Sequence, residues 1–177
     1  MEEGRETLGV KLRNFELRDV DDFMVWASDE EVTRLCMWET YRSREVAENY
    51  IQKTAMVHPW YKAICVGDRA VGAISLDRSA DTTSCRAEIG YVVARRWWGK
   101  GVASQAVHLA LSTAFVDMPG LERVEGLVEP HNLASQRVLE KAGFVKEGLL
   151  RKYRRAKGRT RDLYIYRFLD TDLRQST

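Results

Sequence analysis

The sequence predicts an α/β protein in which a mixed sheet of about seven strands carries helices on both faces. Strand-like and helix-like runs alternate along the chain in the order β, αα(α), ββ, β, α, β, α, ββ. The 177 residues contain no repeat, low-complexity segment or Pro/Gly/Ser-rich linker. We therefore expect a single domain over residues 1–177, with a core at about 10–172.

Composition and charge set the broad class. Hydrophobic residues make up 45% of the chain and charged residues 31%, as in ordinary soluble globular proteins. The three cysteines, Cys36, Cys65 and Cys85, share no short spacing, so neither a disulfide framework nor a zinc site is indicated. A reducing compartment fits best, so we expect a cytoplasmic protein, with a nuclear one as the alternative. The chain has no 18-residue apolar run, so we expect no membrane contact.

The first third of the chain reads as a strand followed by short helices. Val10–Leu17 has strand character, and Asp21–Ala27 follows as a first helix. The spacing in Ser28-Asp-Glu-Glu31 is that of a capping box, which predicts that Ser28 begins a second helix. Ser43 is the predicted cap of a third helix that ends near Lys53.

The remainder alternates strands and helices. Tyr61–Val66 and Ala70–Leu76 predict a hairpin around Gly67-Asp-Arg69. Beyond a polar loop, the pattern predicts strand Ile89–Val93, helix Val102–Phe115, strand Glu122–Glu129, helix Asn132–Lys141 closed by Gly143, and strands Phe144–Arg154 and Thr160–Leu169.

The stretch Arg96-Trp-Trp-Gly-Lys-Gly101 joins a predicted strand to a predicted helix. Two glycines at such a junction leave backbone N–H groups unpaired at the positive end of the helix dipole. This is an anion site suited to a phosphate or pyrophosphate. It has neither P-loop nor Rossmann spacing. Taken alone, it also fits an ordinary turn with a solvated lysine.

Three parts of the chain resemble the GNAT acetyltransferase superfamily. Arg96-Trp-Trp-Gly-Lys-Gly-Val-Ala103 is similar to its [Arg/Gln]-x-x-Gly-x-[Gly/Ala] signature, and Asn132–Phe144 is similar to its second motif. Upstream, Leu12-Arg-Asn-Phe, Asp21-Asp22-Phe, Trp26-Ala-Ser-Asp29 and Arg34 resemble the branch of the RimJ/RimL ribosomal-protein N-terminal acetyltransferases. The resemblance implies the GNAT fold, with a largely antiparallel sheet and a V-shaped splay between the fourth and fifth strands.

The resemblance also implies acetyl-CoA as the cosubstrate. Backbone N–H groups of one stretch would bind the pyrophosphate, and this stretch consists of Gly99, Lys100, Gly101, Val102, Ala103 and Ser104. Arg96 and Lys100 would add positive charge. Lys141 is a candidate for the 3′-phosphate, and it equally fits a plain surface lysine.

For the reactive arm of the cosubstrate, the resemblance points to two further segments. The backbone of Tyr91, Val92 and Val93 would pair with the pantetheine amides, because the neighbouring strand splays away in this family. Asn132 would hydrogen-bond the same arm, or serve only as a helix N-cap. Ser135 matches the hydroxyl that RimL-like enzymes present to the leaving thiolate, and it also fits an ordinary helix serine.

The chain departs from the family at two catalytic positions. Leu139 stands where polyamine acetyltransferases carry a tyrosine acid, and Arg154 stands roughly where RimL-like enzymes place a glutamate base. Glu88 or Glu129 would act as the base, directly or through a water, and each also reads as a structural or surface carboxylate.

The resulting expectation is an N-acetyltransferase that moves an acetyl group to a primary amine, most simply a protein or peptide α-amine. Transfer would be by direct attack in a ternary complex. The alternatives are an enzyme for a small amine and a CoA-binding module without turnover. Asp29, Glu30 and Glu31 would attract a cationic acceptor. Nucleic-acid binding by the basic segment 146–161 is disfavoured, because no recognition motif accompanies it. Monomer and homodimer both remain open.

Overall fold

The computed structural model describes residues 9–81 and 84–175. One seven-stranded sheet, in the spatial order β1-β2-β3-β4-β5-β7-β6, forms its centre. The strands are β1 Val10–Asn14, β2 Tyr61–Val66, β3 Arg69–Arg78, β4 Arg86–Val93, β5 Arg123–Val128, β6 Val145–Ala156 and β7 Arg159–Leu169. Every neighbouring pair is antiparallel except β4 and β5, which run parallel. The predicted mixed, largely antiparallel sheet is confirmed.

Helices cover both faces of the sheet, as predicted. They are α1 Val20–Ala27, α2 Glu30–Thr33, α3 Arg44–Tyr50, α4 Val102–Asp117 and α5 Leu133–Lys141. Because successive strand residues point to opposite faces, β2 contributes Ala63 to the core under α1–α3 and Ile64 to the core under α4 and α5. Within the described ranges, no helix combines the length and apolar character needed to cross a membrane.

Strands β4 and β5 separate about halfway along β4. They pair over four positions, from Arg86 opposite Arg123 to Ile89 opposite Gly126. Beyond these positions β4 continues to Val93 and β5 continues to Val128, but the two strands no longer pair with each other. Leu139 of α5 packs over Gly126, where an added Cβ would lie 2.6 Å from the leucine Cδ1. This separation is the V-shaped splay that the resemblance implies.

Two local predictions in the first third are wrong. Ser28 does not begin α2: its hydroxyl donates to the Met24 carbonyl oxygen (2.6 Å), and Asp29 is the N-cap that accepts from Glu31 N–H (3.0 Å). Strand β1 ends at Asn14 rather than Leu17, because the next residues turn so that the Asp19 carboxylate accepts two 2.7 Å hydrogen bonds from Arg13.

The third helix is close to its prediction. The Ser43 hydroxyl accepts from Val46 N–H (3.4 Å) and caps α3, as expected. After Tyr50 the chain widens into a π-helical turn over Ile51–Ala55, slightly beyond the predicted end near Lys53. Helical backbone therefore continues to the rim of the cleft described below.

Gly72 of β3 lies against the backbone of β4, so we expect Gly72→Ala to destabilise the protein. An added Cβ would lie 2.2 Å from the Val92 carbonyl oxygen and 3.0 Å from Val93 Cα, which forces the two strands apart. The free energy of unfolding in denaturant should fall by about 2–3 kcal/mol. Gly148→Ala in β6 is the control, since nothing lies within 4 Å of its added Cβ. Equal stability of the two variants would contradict the prediction.

Candidate active site

The turn between β4 and α4 has the geometry of an anion site. Gly99 (φ 70°) and Gly101 (φ 80°) both adopt the left-handed conformation, which places successive N–H groups on one side of the chain. Within the described part of the chain, no hydrogen bond reaches the N–H groups of Gly99, Gly101, Val102, Ala103 and Ser104. An added Cβ at Gly99 would meet nothing within 4 Å, so the turn has room for a ligand. These features fit a pyrophosphate.

Positive charge surrounds this turn. The Arg96 guanidinium and the Lys100 ammonium each lie 5.1 Å from the centre of the Trp97 ring, which holds two cations beside the glycines. Arg95 instead forms an ion pair with Asp29 (3.0 Å). Lys141 is exposed in the last turn of α5, with no ion pair to any other described residue.

Strand β4 presents an unpaired backbone edge beside the turn. Ala94 N–H donates to the Val71 carbonyl oxygen (2.8 Å), so by the alternation of antiparallel pairs the peptide groups of Val93 and Tyr91 face the side of β5. Because β5 has separated there, these groups lack a strand partner. The Trp98 indole N–H donates to the Val93 carbonyl oxygen (2.7 Å) and occupies one position on this edge. The sequence pattern did not predict that contact.

Helix α5 places Asn132 and Ser135 across the splay from β4. Asn132 is the N-cap of α5, and its side-chain oxygen accepts from Ser135 N–H (3.1 Å). The Tyr91 hydroxyl lies 2.7 Å from Ser135 Oγ and donates to the Ser135 carbonyl oxygen (3.2 Å). Burial raises the pKa of Tyr91 to about 12, while the hydrogen bond to Ser135 opposes that rise. The phenol therefore stays protonated at neutral pH.

Both carboxylates considered as bases are paired with arginines. Glu88 accepts two hydrogen bonds from Arg154 (3.0 and 2.8 Å), and Glu129 accepts one from Arg161 (2.9 Å). The hydrogen bond to Glu88 is the main cause of the raised pKa of Arg154. The arginine that replaces the family's glutamate is thus the ion-pair partner of Glu88.

The acids at the start of α2 are also neutralised. Asp29, Glu30 and Glu31 form ion pairs with Arg95, Arg42 and Arg34, respectively. Their net contribution to the attraction of a cationic acceptor is therefore small. Within the described residues, no group of three or more His, Cys, Asp and Glu side chains is arranged to hold a metal ion.

A cavity of about 390 Å³ connects the splay with the face of the sheet that carries α1–α3. Ser135, Asn132 and Tyr91 line one end, and Glu88 and Arg154 line the middle. The other end is lined by Trp38, Tyr50, Tyr61, His58, Ser75 and Asp77. The sequence motifs account for the first end only. The aromatic end joins residues that are far apart in the chain, so no local spacing indicates it.

The β6–β7 hairpin closes over the same cleft. Lys157, at the hairpin turn, donates from Nζ to the Thr33 carbonyl oxygen of α2 (2.6 Å). Arg154, three residues earlier, forms the ion pair with Glu88 on the sheet. The basic segment 146–161 therefore contributes one wall of the cleft.

Comparisons with known proteins agree with this geometry. Residues 10–145 match the family model described as an acetyltransferase (GNAT) domain. The Bacillus licheniformis protein named Uncharacterized N-acetyltransferase p20 is 35% identical over 164 residues, covering 89% of this chain and 91% of the relative.

Two solved structures have the same fold. An acetyltransferase (GNAT family) from Bacillus anthracis superposes with a TM-score of 0.80 at 26% identity, covering 92% of this chain and 95% of the other. RimJ from Mycobacterium smegmatis, in complex with CoA-disulfide, gives a TM-score of 0.77 at 26% identity, covering 93% and 83%. The chain therefore belongs to the GNAT acetyltransferase family, as an acyltransferase whose cosubstrate is acetyl-CoA.

Proposed function

We propose that this enzyme transfers the acetyl group of acetyl-CoA to a primary amine of a peptide or protein, by direct attack in a ternary complex. The observation that carries the proposal is the cavity of about 390 Å³. It joins the Tyr91–Ser135 contact in the splay to the aromatic end described above, which we call the aromatic pocket. Two reactants can thus approach one point from opposite faces of the sheet.

The first half of the site would hold the cosubstrate. The N–H groups of Gly99 to Ser104 would bind the pyrophosphate, with Arg96 and Lys100 adding charge and Lys141 approaching the 3′-phosphate. The free edge at Tyr91 and Val93, together with Asn132, would hold the pantetheine arm, whereas the N–H and carbonyl groups of Val92 face β3 and are not available to it. Trp98 would release the Val93 carbonyl oxygen when this edge is used. Acetyl-CoA supplies the thioester, and the chain supplies orientation.

The second half of the proposal concerns protons. The acceptor nitrogen forms the new bond to the acetyl carbon, the carbon–sulfur bond breaks, and the Ser135 hydroxyl donates a hydrogen bond to the departing thiolate. Tyr91, protonated at neutral pH, would donate its O–H to Ser135 Oγ instead of the Ser135 carbonyl oxygen in this step, which leaves the serine proton free for the thiolate. Before attack, Glu88 would accept one proton from the acceptor ammonium, directly or through a water, which leaves a neutral amine. After the carbon–nitrogen bond forms, the second nitrogen proton would reach the departing CoA thiolate through solvent water. Arg154 stays charged and holds both Glu88 carboxylate oxygens by hydrogen bonds.

A peptide acceptor is favoured by the resemblance of the N-terminal third to the RimJ/RimL branch and by the structural likeness to RimJ. Leu139, fully buried against Gly126, leaves no tyrosine acid at the position used by polyamine acetyltransferases. Small amines remain the second candidate, because the aromatic pocket would accept them as well. The three cysteines are unpaired, which is consistent with the cytoplasmic location we propose.

Thiol release tests the proposed function directly. The purified protein with acetyl-CoA and a panel of peptides bearing free N-termini should release free CoA in an amine-dependent manner. We expect peptides to react faster than free polyamines, aminoglycosides or amino acids. If the protein bound CoA but released no thiol with any amine of the panel, the proposed enzymatic activity would be wrong and the protein would be a CoA-binding module.

Gly101→Ala should weaken CoA binding more than it weakens the fold. The left-handed φ costs an alanine about 1–2 kcal/mol, and the displaced N–H groups should lower affinity for CoA by about tenfold. Gly67→Ala is a matched control: Gly67 has a positive φ of 60° and lies in the β2–β3 turn. Its added Cβ would meet nothing within 4 Å, and that of Gly101 would meet only Gln105 Nε2 at 3.9 Å. Titration calorimetry with CoA and thermal unfolding measure the two effects. Equal CoA affinity of the two variants would refute the pyrophosphate assignment.

Ser135→Ala should lower kcat by about tenfold to a hundredfold with little change in the KM for acetyl-CoA. Tyr91→Phe keeps the ring but removes the hydroxyl 2.7 Å from Ser135 Oγ, so it should have a smaller effect in the same direction. The double variant should be no worse than Ser135→Ala alone if Tyr91 acts through Ser135. Steady-state kinetics measure this, and additive losses would show independent roles.

A further inference from the structure

We propose that Asp77 is the residue that recognises the acceptor, binding it as a primary ammonium ion in the aromatic pocket. The inference rests on the proposed function, since it concerns the acceptor half of the same cavity. It adds the class of amine that the pocket selects. Asp77 lies in β3, opposite Glu88 of β4 and on the same face of the sheet.

The hydrogen bonds to Asp77 come from neutral groups. Ser75 Oγ donates to its Oδ2 (2.7 Å), and His58 Nε2 lies 2.9 Å from its Oδ1. His58 Nδ1 accepts from Trp60 N–H (3.1 Å), so this nitrogen carries no proton and Nε2 is the donor to Asp77. A second proton on the ring would break the Trp60 contact. His58 therefore orients Asp77 through Nε2, while its Nδ1 is used by the Trp60 N–H.

Asp77 differs in this respect from the other acids of the cavity. Among the described residues that line it, the carboxylates are Asp77, Glu88 and Glu129. Glu88 is paired with Arg154 and Glu129 with Arg161, whereas no arginine or lysine of the described chain forms an ion pair with Asp77. Among these three carboxylates, Asp77 is therefore the one without an arginine or lysine partner in the described chain, and Arg154 interacts with it only at longer range. More than half of this side chain is exposed to the cavity and solvent.

A row of aromatic side chains lies close to the Asp77 carboxylate. His58 and Tyr61 have ring centres 5.9 Å apart, Tyr61 and Tyr50 are 6.4 Å apart, and Tyr41 continues the row 5.9 Å from Tyr50. Burial is the main cause of the raised pKa values of Tyr50 and Tyr61, and the Asp77 charge adds to both. The phenols therefore stay neutral. Neutral aromatic rings close to a carboxylate that has no arginine or lysine partner in the described chain favour an organic cation.

The same charges define which amines fit. A primary ammonium on a carbon without a carboxylate gains the contact with Asp77 and brings no negative charge close to Asp77 or Glu88. A free α-amino acid would bring its own carboxylate against Asp77 and Glu88, and the nearby guanidinium of Arg154 is already bound to Glu88. Peptide N-termini and simple alkylamines belong to the accepted class, and free amino acids belong to the rejected class.

Four probes of nearly the same shape test this selection. Phenethylamine and phenylalanine amide carry the ammonium alone, phenylalanine adds a carboxylate, and 2-phenylethanol has no charge. Titration calorimetry in the presence of CoA should show the first two binding about tenfold more tightly than the last two. Asp77→Asn should remove this preference, because the amide can keep both hydrogen bonds without the charge. Equal affinities of the four probes for the unaltered protein would overturn the proposal.

Asp68→Asn is the matched control. Asp68 is exposed in the turn at the opposite end of β3, so the same substitution there should leave every affinity unchanged. In turnover assays, Asp77→Asn should raise the KM for the amine about tenfold while the KM for acetyl-CoA stays constant. Thiol release with an unchanged amine KM would refute the role of Asp77 and leave the acetyltransferase intact. Selective probe binding without thiol release would support the pocket and refute the proposed function.

Discussion

The site depends on the point where β4 and β5 separate. Four residue pairs hold the two parallel strands together, and beyond Gly126 they diverge. Buried backbone groups need hydrogen-bond partners, so a strand edge opened inside a protein is a place for a ligand or for a side chain that substitutes for one. Trp98 takes this substituting role at Val93. Leu139 fills the space over Gly126, and Ser135 bridges to Tyr91 on the other side of the gap.

Much of the fold follows from local pattern. The bounds of β2 and the start of α4 agree with apolar periodicity and turn chemistry, because these signals are carried by adjacent residues. The wrong cap of α2 arose where two local groups compete for one position. Ser28 and Asp29 are both good caps, and the preceding helix uses the serine. The divergence of β4 from β5 leaves no mark in periodicity, and only the family resemblance implied it.

The site divides in the same way. The left-handed conformation of Gly99 and Gly101 and the N-cap position of Asn132 were predictable, since they follow from residue type and from the place at a helix start. The pairing of Glu88 with Arg154 was not, because the two residues are 66 positions apart and only the sheet brings them together. The aromatic pocket was not predictable for the same reason. Its members come from separate elements, so a single sequence contains no spacing that would reveal them.

Strand β4 contributes residues to both halves of the proposed site. Its side chains alternate between the faces of the sheet, so Glu88 and Gly90 lie on the face proposed for the acceptor while Tyr91 reaches Ser135 on the other. Shifting the strand by one residue would exchange these assignments completely. The register of β4 against β3 is therefore a chemical constraint as well as a structural one. An insertion of one residue within β4 would therefore place either Glu88 or Tyr91 on the wrong face of the sheet.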